Sequence, residues 1–308
     1  MKVLVTGATG FMGTRLCKIL TDKGHNITAL GSQKCDLTVE GSLSFLSTTK
    51  FDQIFHLAAW TQAGDFCLHH PGEQWMINQN INTNVLCWWH KEQSQAKLIF
   101  MGTSCSYPTN LQLEEANYLD GTPTESLFTY AMTKRMLLVG AMALAKQYDM
   151  KYLCLVPSTL YGSGYHTDGR QMHFIFDLVR KILRAHFYGE EVVLWGDGYQ
   201  TRELVYLDDF IKIMLQLNDN SENEIINIGA GKEFSIRKFA EIICEIVGFD
   251  GEKIKYDTDR YVGAKSKCLD IKKLKKIMPD LAYTQLKDGM EELVNWFIQS
   301  QAYDNKAK

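Results

Sequence analysis

Tyr130 and Lys134 stand four residues apart in Tyr-Ala-Met-Thr-Lys. On a helix that spacing puts both side chains on one face, one turn from each other. There the ammonium can lower the pKa of a phenol that otherwise titrates near ~10. Such a phenol can pass a proton to or from an alcohol or sugar oxygen while a hydride moves. Alone, the pair is a common helix-surface pattern. It gains weight from Thr6-Gly7-Ala8-Thr9-Gly10-Phe11-Met12-Gly13 upstream. In this G-x-x-G-x-x-G the glycines Gly7, Gly10 and Gly13 allow a tight turn and let backbone N–H groups approach a pyrophosphate at a helix N-terminus.

The surrounding pattern is of the kind that positions such groups. Residues 2–6 form a short apolar, β-rich run, as expected of a buried parallel strand. After the glycine loop, residues 14–20 have helical spacing, closed by Gly24. Further strands are expected at 26–30, 54–59, 97–101 and 152–156, separated by helical stretches. Strands alternating with helices predict an α/β fold, a doubly wound Rossmann-type parallel sheet. After Pro157 the texture changes to a Gly-rich stretch at 162–169, a basic helical segment at 174–184, the runs 192–198 and 225–229, and helical patterns at 236–247 and 286–297. The expected division is a nucleotide-binding domain over 1–160 and a smaller mixed α/β substrate domain over 161–308, with some return of strands or helices to the first. The Lys-rich tail reads as disordered.

Composition narrows the class. With 308 residues, 45% of them hydrophobic, the chain can bury a sizeable core, and its net charge of −3 predicts no general attraction to nucleic acid or acidic membranes. The eight cysteines (17, 35, 67, 87, 105, 154, 244, 268) form no Cys-x-x-Cys and no Cys/His cluster at zinc spacing. They read as reduced thiols of a cytoplasmic protein, with no metal site. No signal peptide is recognised, and no apolar run approaches the roughly 18 residues of a membrane span. His69-His70 and Trp88-Trp89 read as structural, and Lys272, Lys273, Lys275 and Lys276 as a solvated helix face.

NAD sites usually carry an acidic residue after the second strand to hold the ribose 2′-OH. Here that strand ends Leu30-Gly31-Ser32-Gln33-Lys34, without a carboxylate. Lys34, and Arg15 beside it, could face a 2′-phosphate, which favours NADP(H). Asp36-Leu37 is placed to meet the adenine.

Taken with the glycine loop, His56-Leu57-Ala58-Ala59, Thr103, Tyr130, Lys134 and Asn227-Ile228-Gly229 resemble the extended short-chain dehydrogenase/reductases that act on nucleotide sugars. The resemblance covers almost the whole chain. It implies that Thr103, in Met101-Gly102-Thr103-Ser104-Cys105-Ser106-Tyr107-Pro108, bonds the reacting oxygen beside Tyr130 and Lys134. It adds Phe11, Met12, Thr9, Leu57, Ala58, Ala59 and Pro157 to the cofactor contacts. The 4,6-dehydratases of the family carry an Asp-Glu pair where this chain has Ser104-Cys105, so water elimination is disfavoured.

Within the family, the Thr103–Pro108 loop, Tyr130/Lys134-Arg135, and His173 opening a helix with Arg180-Lys181 are similar to the GDP-L-fucose synthase branch, which epimerises and reduces GDP-linked 4-keto sugars. That similarity implies Cys105 as the epimerising base and His173 as the acid. A 4-ketone acidifies the hydrogens at C3 and C5, and a thiol of pKa ~8.5 can remove one if an imidazolium lies near. It also implies substrate contacts by Ser104, Arg180, Lys181, Trp195 and Arg202. One segment departs: Thr159 and Ser163 stand where the branch has Asn and Pro, in Pro157-Ser158-Thr159-Leu160-Tyr161-Gly162-Ser163-Gly164-Tyr165-His166. Reduction without epimerisation, on a keto-heptose for example, therefore stays open. So do an NAD-retaining 4-epimerase and, outside enzymology, an NADP-sensing regulator. A homodimer through helical faces near 76–90 and 129–147 is expected by analogy of fold.

Overall fold

The computed structural model describes residues 1–64, 66–260 and 264–304. The Lys-rich end of the tail, 305–308, lies outside the described residues. In chain order the elements are β1 (Lys2–Thr6), α1 (Phe11–Asp22), β2 (Asn26–Leu30), β3 (Gln53–His56), α2 (Phe66–His69), α3 (Pro71–Glu92), β4 (Lys97–Met101), α4 (Phe128–Tyr148) and β5 (Tyr152–Pro157). Then follow β6 (Thr159–Tyr161), α5 (Phe174–Tyr188), β7 (Val193–Trp195), β8 (Thr201–Arg202), β9 (Leu204–Tyr206), α6 (Leu207–Asn220), β10 (Glu224–Ile228), β11 (Phe234–Ser235), α7 (Ile236–Val247), β12 (Lys255–Asp257), α8 (Lys272–Ile277) and α9 (Leu286–Gln299).

Two compact units emerge. The first comprises Met1–Thr61, Asp65–Pro157 and Ile211–Ile228. Its centre is a six-stranded sheet in the order β10-β5-β4-β3-β1-β2, parallel throughout. A parallel sheet is covered on both faces and needs strands that are apolar on both. Val3, Leu4 and Val5 of β1 and Leu98, Ile99 and Phe100 of β4 meet that demand, all fully buried. The chain leaves β1 towards β2 on one side and returns to β3 on the other, so the crevice between β1 and β3 is the switch point where such sheets take ligands. The strand at 224–228, read from sequence with the second half, is the sixth strand of this sheet: Ile226 pairs with Leu155 and Ile228 with Pro157.

The second unit comprises Gln62–Gly64, Ser158–Phe210 and Gly229–Lys308. Three small sheets, β6 with β9, β7 with β12 and β8 with β11, accompany the packed helices α5, α7 and α9. Its core is aromatic and branched-aliphatic: Phe176, Val179, Ile182, Phe239, Ile243 and Phe297 are buried. Glu203, in the link between β8 and β9, is 2% exposed and accepts the backbone N–H groups of Gly231 (2.7 Å) and Leu269 (3.1 Å).

One expectation needs correction. The stretch Glu125–Tyr148, mean hydropathy 1.2, is long and apolar enough to meet the length-and-composition test for a membrane span. It is largely α4, whose Lys134 and Arg135 are buried side chains with roles described below.

Candidate active site

The glycine loop joins β1 to α1 at the switch point. Gly7 has φ +67°, and a Cβ there would lie 2.7 Å from the Ala58 amide nitrogen and 2.8 Å from the Leu57 carbonyl carbon. Gly13, one turn into α1, would bring a Cβ within 2.8 Å of Ala8 Cα and nearer still to the Gly7 carbonyl oxygen. Backbone packed against backbone admits no side chain at either position. Gly10 caps α1 without a side-chain bond, and the first turn carries no acidic residue. The positive end of the helix dipole is thus left to an anion. Leu57, Ala58 and Ala59 follow β3 against this loop, and Ala58 N–H reaches the Thr6 hydroxyl at 3.4 Å. Thr9 packs against Gly31 at the end of β2. Beyond it Ser32, Gln33 and Lys34 are exposed. Asp36 is committed to a local turn: its Oδ1 accepts the Thr38 N–H (2.9 Å) and hydroxyl (2.6 Å), which hold its carboxyl below the usual range. Leu37 is buried, its carbonyl bound by Asn84 at 2.9 Å.

The proton-transfer groups meet at the C-terminal edge of the same sheet. Thr103, just past β4, caps a single 3₁₀ turn, Ser104–Ser106, by accepting the Cys105 N–H at 3.2 Å. Its hydroxyl lies near that of Tyr130, at the start of α4, close enough to favour the phenolate in part. Cys105 lies close enough to both Tyr130 and Cys67 for their charges to be felt. Lys134 is 6% exposed, with Nζ 6.0 Å from the Tyr130 ring centroid. Thr103, Cys105, Tyr130 and Lys134 are therefore brought together as expected from the sequence.

The electrostatics differ from the expectation. Burial first, then Cys105, push the Tyr130 phenol above its ordinary value, and the nearby Thr103 hydroxyl opposes them only in part. Lys134 does not lower it; its own ammonium is pushed down to about 8, mainly by burial. Within this chain Tyr130 is a protonated phenol at neutral pH, which is the form a proton donor requires.

Behind these groups lies a framework that the motifs did not reveal. The buried Tyr118 hydroxyl accepts the Thr103 N–H and the Ser106 hydroxyl, each at 3.1 Å. Arg135, adjacent to Lys134 in sequence, donates from Nε to the Ser106 carbonyl (3.1 Å), from Nη1 to Gly121 (2.8 Å) and from Nη2 to Asp120 (2.6 Å). Tyr107 donates to Asn227 Oδ1 at 2.6 Å, and Asn227 Nδ2 donates to Leu113 at 2.8 Å. The Asn227-Ile228-Gly229 motif thus fastens the loop after β4 to β10. On the other side His56, 1% exposed, is held near pKa 4 by burial and by Lys134. Asn82 donates to Thr133 O, which turns its Oδ1 towards His56 Nε2 at 3.3 Å. The neutral ring therefore donates from Nε2 and accepts from the Thr6 hydroxyl at Nδ1, 2.8 Å.

The second unit carries the other assigned residues. His173 is the N-cap residue of α5, its side chain making no cap bond. Its ring is open to solvent, yet the protein packed around it, then His166 and Lys267, push its pKa down to about 4. The standing imidazolium expected from sequence is thus replaced by a neutral ring whose charged form would be a strong acid. Lys267 was missed in the sequence because no motif includes it, and His166 was noted only as the end of the segment that departs from the branch. Arg180 and Lys181, two turns into α5, both pair with Asp177, at 2.5 and 3.0 Å. Arg202 donates to Thr201 O (2.7 Å) and Ala264 O (2.8 Å), and Trp195 is 57% exposed with Arg260 5.5 Å above its ring.

The profile of the NAD dependent epimerase/dehydratase family matches residues 3–229. The chain belongs to this family. Among curated relatives, GDP-L-fucose synthase of Dictyostelium discoideum is 31% identical over 310 residues, covering 97% of this chain and 95% of its own. The crystal structure of a GDP-L-fucose synthetase from Naegleria fowleri bound to NADP shares the fold at TM-score 0.86 and 24% identity, covering 100% of this chain and 96% of that one. A GDP-6-OMe-4-keto-L-xylo-heptose reductase from C. jejuni superimposes at TM-score 0.88 with 21% identity, covering 97% and 98%.

Proposed function

We propose that this chain reduces the C4 ketone of a GDP-linked 4-keto sugar with NADPH and epimerises the sugar at C3 and C5. The observation that carries this reading is the gathering of Thr103, Tyr130 and Lys134, with Cys105 on the turn that Thr103 caps. It stands in a chain matched almost end to end by a GDP-L-fucose synthase.

The cofactor fits the residues present. Gly7 and Gly13 leave room for a pyrophosphate at the start of α1, and the segment after β2 offers Lys34 rather than a carboxylate. When bound, NADPH supplies the hydride. Thr103 and Tyr130 direct hydroxyls at the C4 oxygen, and burial keeps the phenol protonated until it is needed. Lys134, with a pKa of about 8, remains cationic at neutral pH and favours the developing alkoxide. For epimerisation Cys105 removes the proton at C3 or C5 and His173 delivers one to the opposite face. Arg202 and Trp195 serve the nucleotide and diphosphate. Arg180 and Lys181 do so only by dividing their donors between Asp177 and the ligand, and Ser104 contacts the sugar.

Reduction alone, on a different GDP-4-keto sugar such as a heptose, is the second reading, and it draws on Thr159 and Ser163. An NAD-retaining 4-epimerase finds no carboxylate between Gly31 and Lys34 to support it. Eight free cysteines fit a reducing cytoplasm. A homodimer through α3 and α4 is supported by Trp75, Met76, Met136, Val139 and Met142, all at least 40% exposed; light scattering would give twice the chain mass. The deciding experiment measures NADPH oxidation against GDP-, UDP- and dTDP-linked 4-keto sugars. Turnover confined to UDP- or dTDP-sugars would overturn the proposal.

A further inference from the structure

The segment that departs most from the resemblance, 159–166, leads into a cluster of rings around the start of α5. Tyr165 lies flat on Phe176, centroids 3.7 Å apart and planes 7° from parallel. Phe176 is fully buried, so the stack is anchored in the core of the second unit. The Tyr165 hydroxyl takes the backbone N–H of His173. It thereby satisfies the amide of the N-cap residue of α5, whose own side chain makes no cap bond. The same ring faces two imidazoles, His166 at 4.1 Å and His173 at 6.2 Å between centroids. His166 Nδ1 stands 3.6 Å from Asp168 Oδ1, beyond hydrogen-bond reach, and Arg170 pairs with the same carboxylate at 2.8 Å.

We propose that Tyr165 is a positioning residue for His173: it fixes the His173 backbone through one hydrogen bond and walls its imidazole with an anchored ring. This rests on the reading of His173 as the acid of the epimerisation. His173 cannot be displaced along α5 without breaking the Tyr165 bond, and Tyr165 cannot tilt without leaving Phe176. Proton delivery by His173 is therefore set from residue 165, in the stretch where this chain differs from its branch. His166 is the second member of the device. The charged groups facing His173 are His166 and Lys267, and those facing His166 are Arg170 and Asp168. When both rings are protonated they repel, so His166 keeps His173 from holding its proton.

The test uses the full-length enzyme with GDP-4-keto-6-deoxymannose and NADPH, and reads the ratio of doubly inverted to directly reduced product. Tyr165→Phe keeps the stack and removes only the hydroxyl. Tyr165→Leu removes the ring as well. Misplacement on the ångström scale costs up to about a hundredfold in a catalysed step, so Tyr165→Phe should lower the inverted fraction about tenfold, and C4 reduction far less. A general loss of structure would lower both products together and leave their ratio unchanged, which is the outcome that overturns the inference. His166→Asn should shift the acid limb of the epimerisation pH profile upward, because it removes the repelling cation; an unmoved limb counts against the pair. His173→Asn separates the two levels. If that variant epimerises normally, the reading of His173 fails and the inference with it. If it stalls while Tyr165→Phe does not, only the inference fails.

Discussion

The turn that carries Thr103 and the segment that leads to His173 are built on opposite plans. Around Thr103 the fold spends buried hydrogen bonds: Tyr118, Arg135 and Asn227 all reach into the loop after β4, and removing any of them would orphan buried polar groups. Around His173 it uses ring stacking and one backbone bond in a segment otherwise open to solvent. The contrast teaches that the turn beside Tyr130 is held by a framework intolerant of change, whereas the segment leading to His173 can be rebuilt ring by ring. The same contrast explains how Ser163 and Thr159 could replace the branch's residues without disturbing Tyr130.

The largest expected effect lies in the rigid region. Tyr130→Phe should cut turnover by at least ~10²–10⁴, the usual contribution of a general acid, with NADPH affinity nearly intact in a fluorescence titration. Near-normal turnover would end the assignment. The next separates the two chemistries. In D₂O with NADP⁺ and the 4-keto sugar, wild-type enzyme should incorporate deuterium at C3 and C5. Cys105→Ala should incorporate none, yet retain part of its C4 reduction because Thr103, Tyr130 and Lys134 are unchanged. Wild-type reduction without deuterium would leave the enzyme a reductase only. A smaller effect concerns the cofactor: Lys34→Ala should weaken NADPH about tenfold, the ~1.4 kcal/mol of one charged contact, and leave NADH unchanged. Equal affinity of the wild type for both nucleotides would contradict that role.

The smallest effect is on stability and tests how firmly the framework is held. His56 has a folded pKa near 4, below the ~6.5 of an unfolded histidine. A depressed folded value means that its contribution is present above pH ~6.5 and is lost as pH falls towards 4. Thermal midpoints should therefore fall across that window, and His56→Gln should flatten part of the slope. An identical slope in the variant would show that His56 does not titrate against the fold.

Much of this was legible in the residues. The glycine spacing announces a backbone-only loop because no Cβ fits at Gly7 or Gly13, and five of the six sheet strands follow from apolar runs. The Tyr130/Lys134 spacing places both on α4 as read. What escaped is long-range. Tyr118 meets Thr103 across fifteen positions and Tyr107 meets Asn227 across 120, so no local pattern links them. The direction of Tyr130's shift also escaped, because spacing reveals a neighbouring charge and not the depth of burial. The strand at 224–228 looked like part of the second half because sequence order hides a return.

That return limits how the chain can be taken apart. Because Ile211–Ile228 rejoins the first unit, a fragment ending at Pro157 would lack β10 and expose β5 as an unpaired, apolar edge, a template for aggregation. Nor could recombination exchange the second unit through a single crossover. Splices would be needed near 157/158, 210/211 and 228/229 at once, besides those around Gln62–Gly64. A lineage acquiring a new sugar is thus pushed towards point substitutions in segments such as 159–173 and away from module exchange.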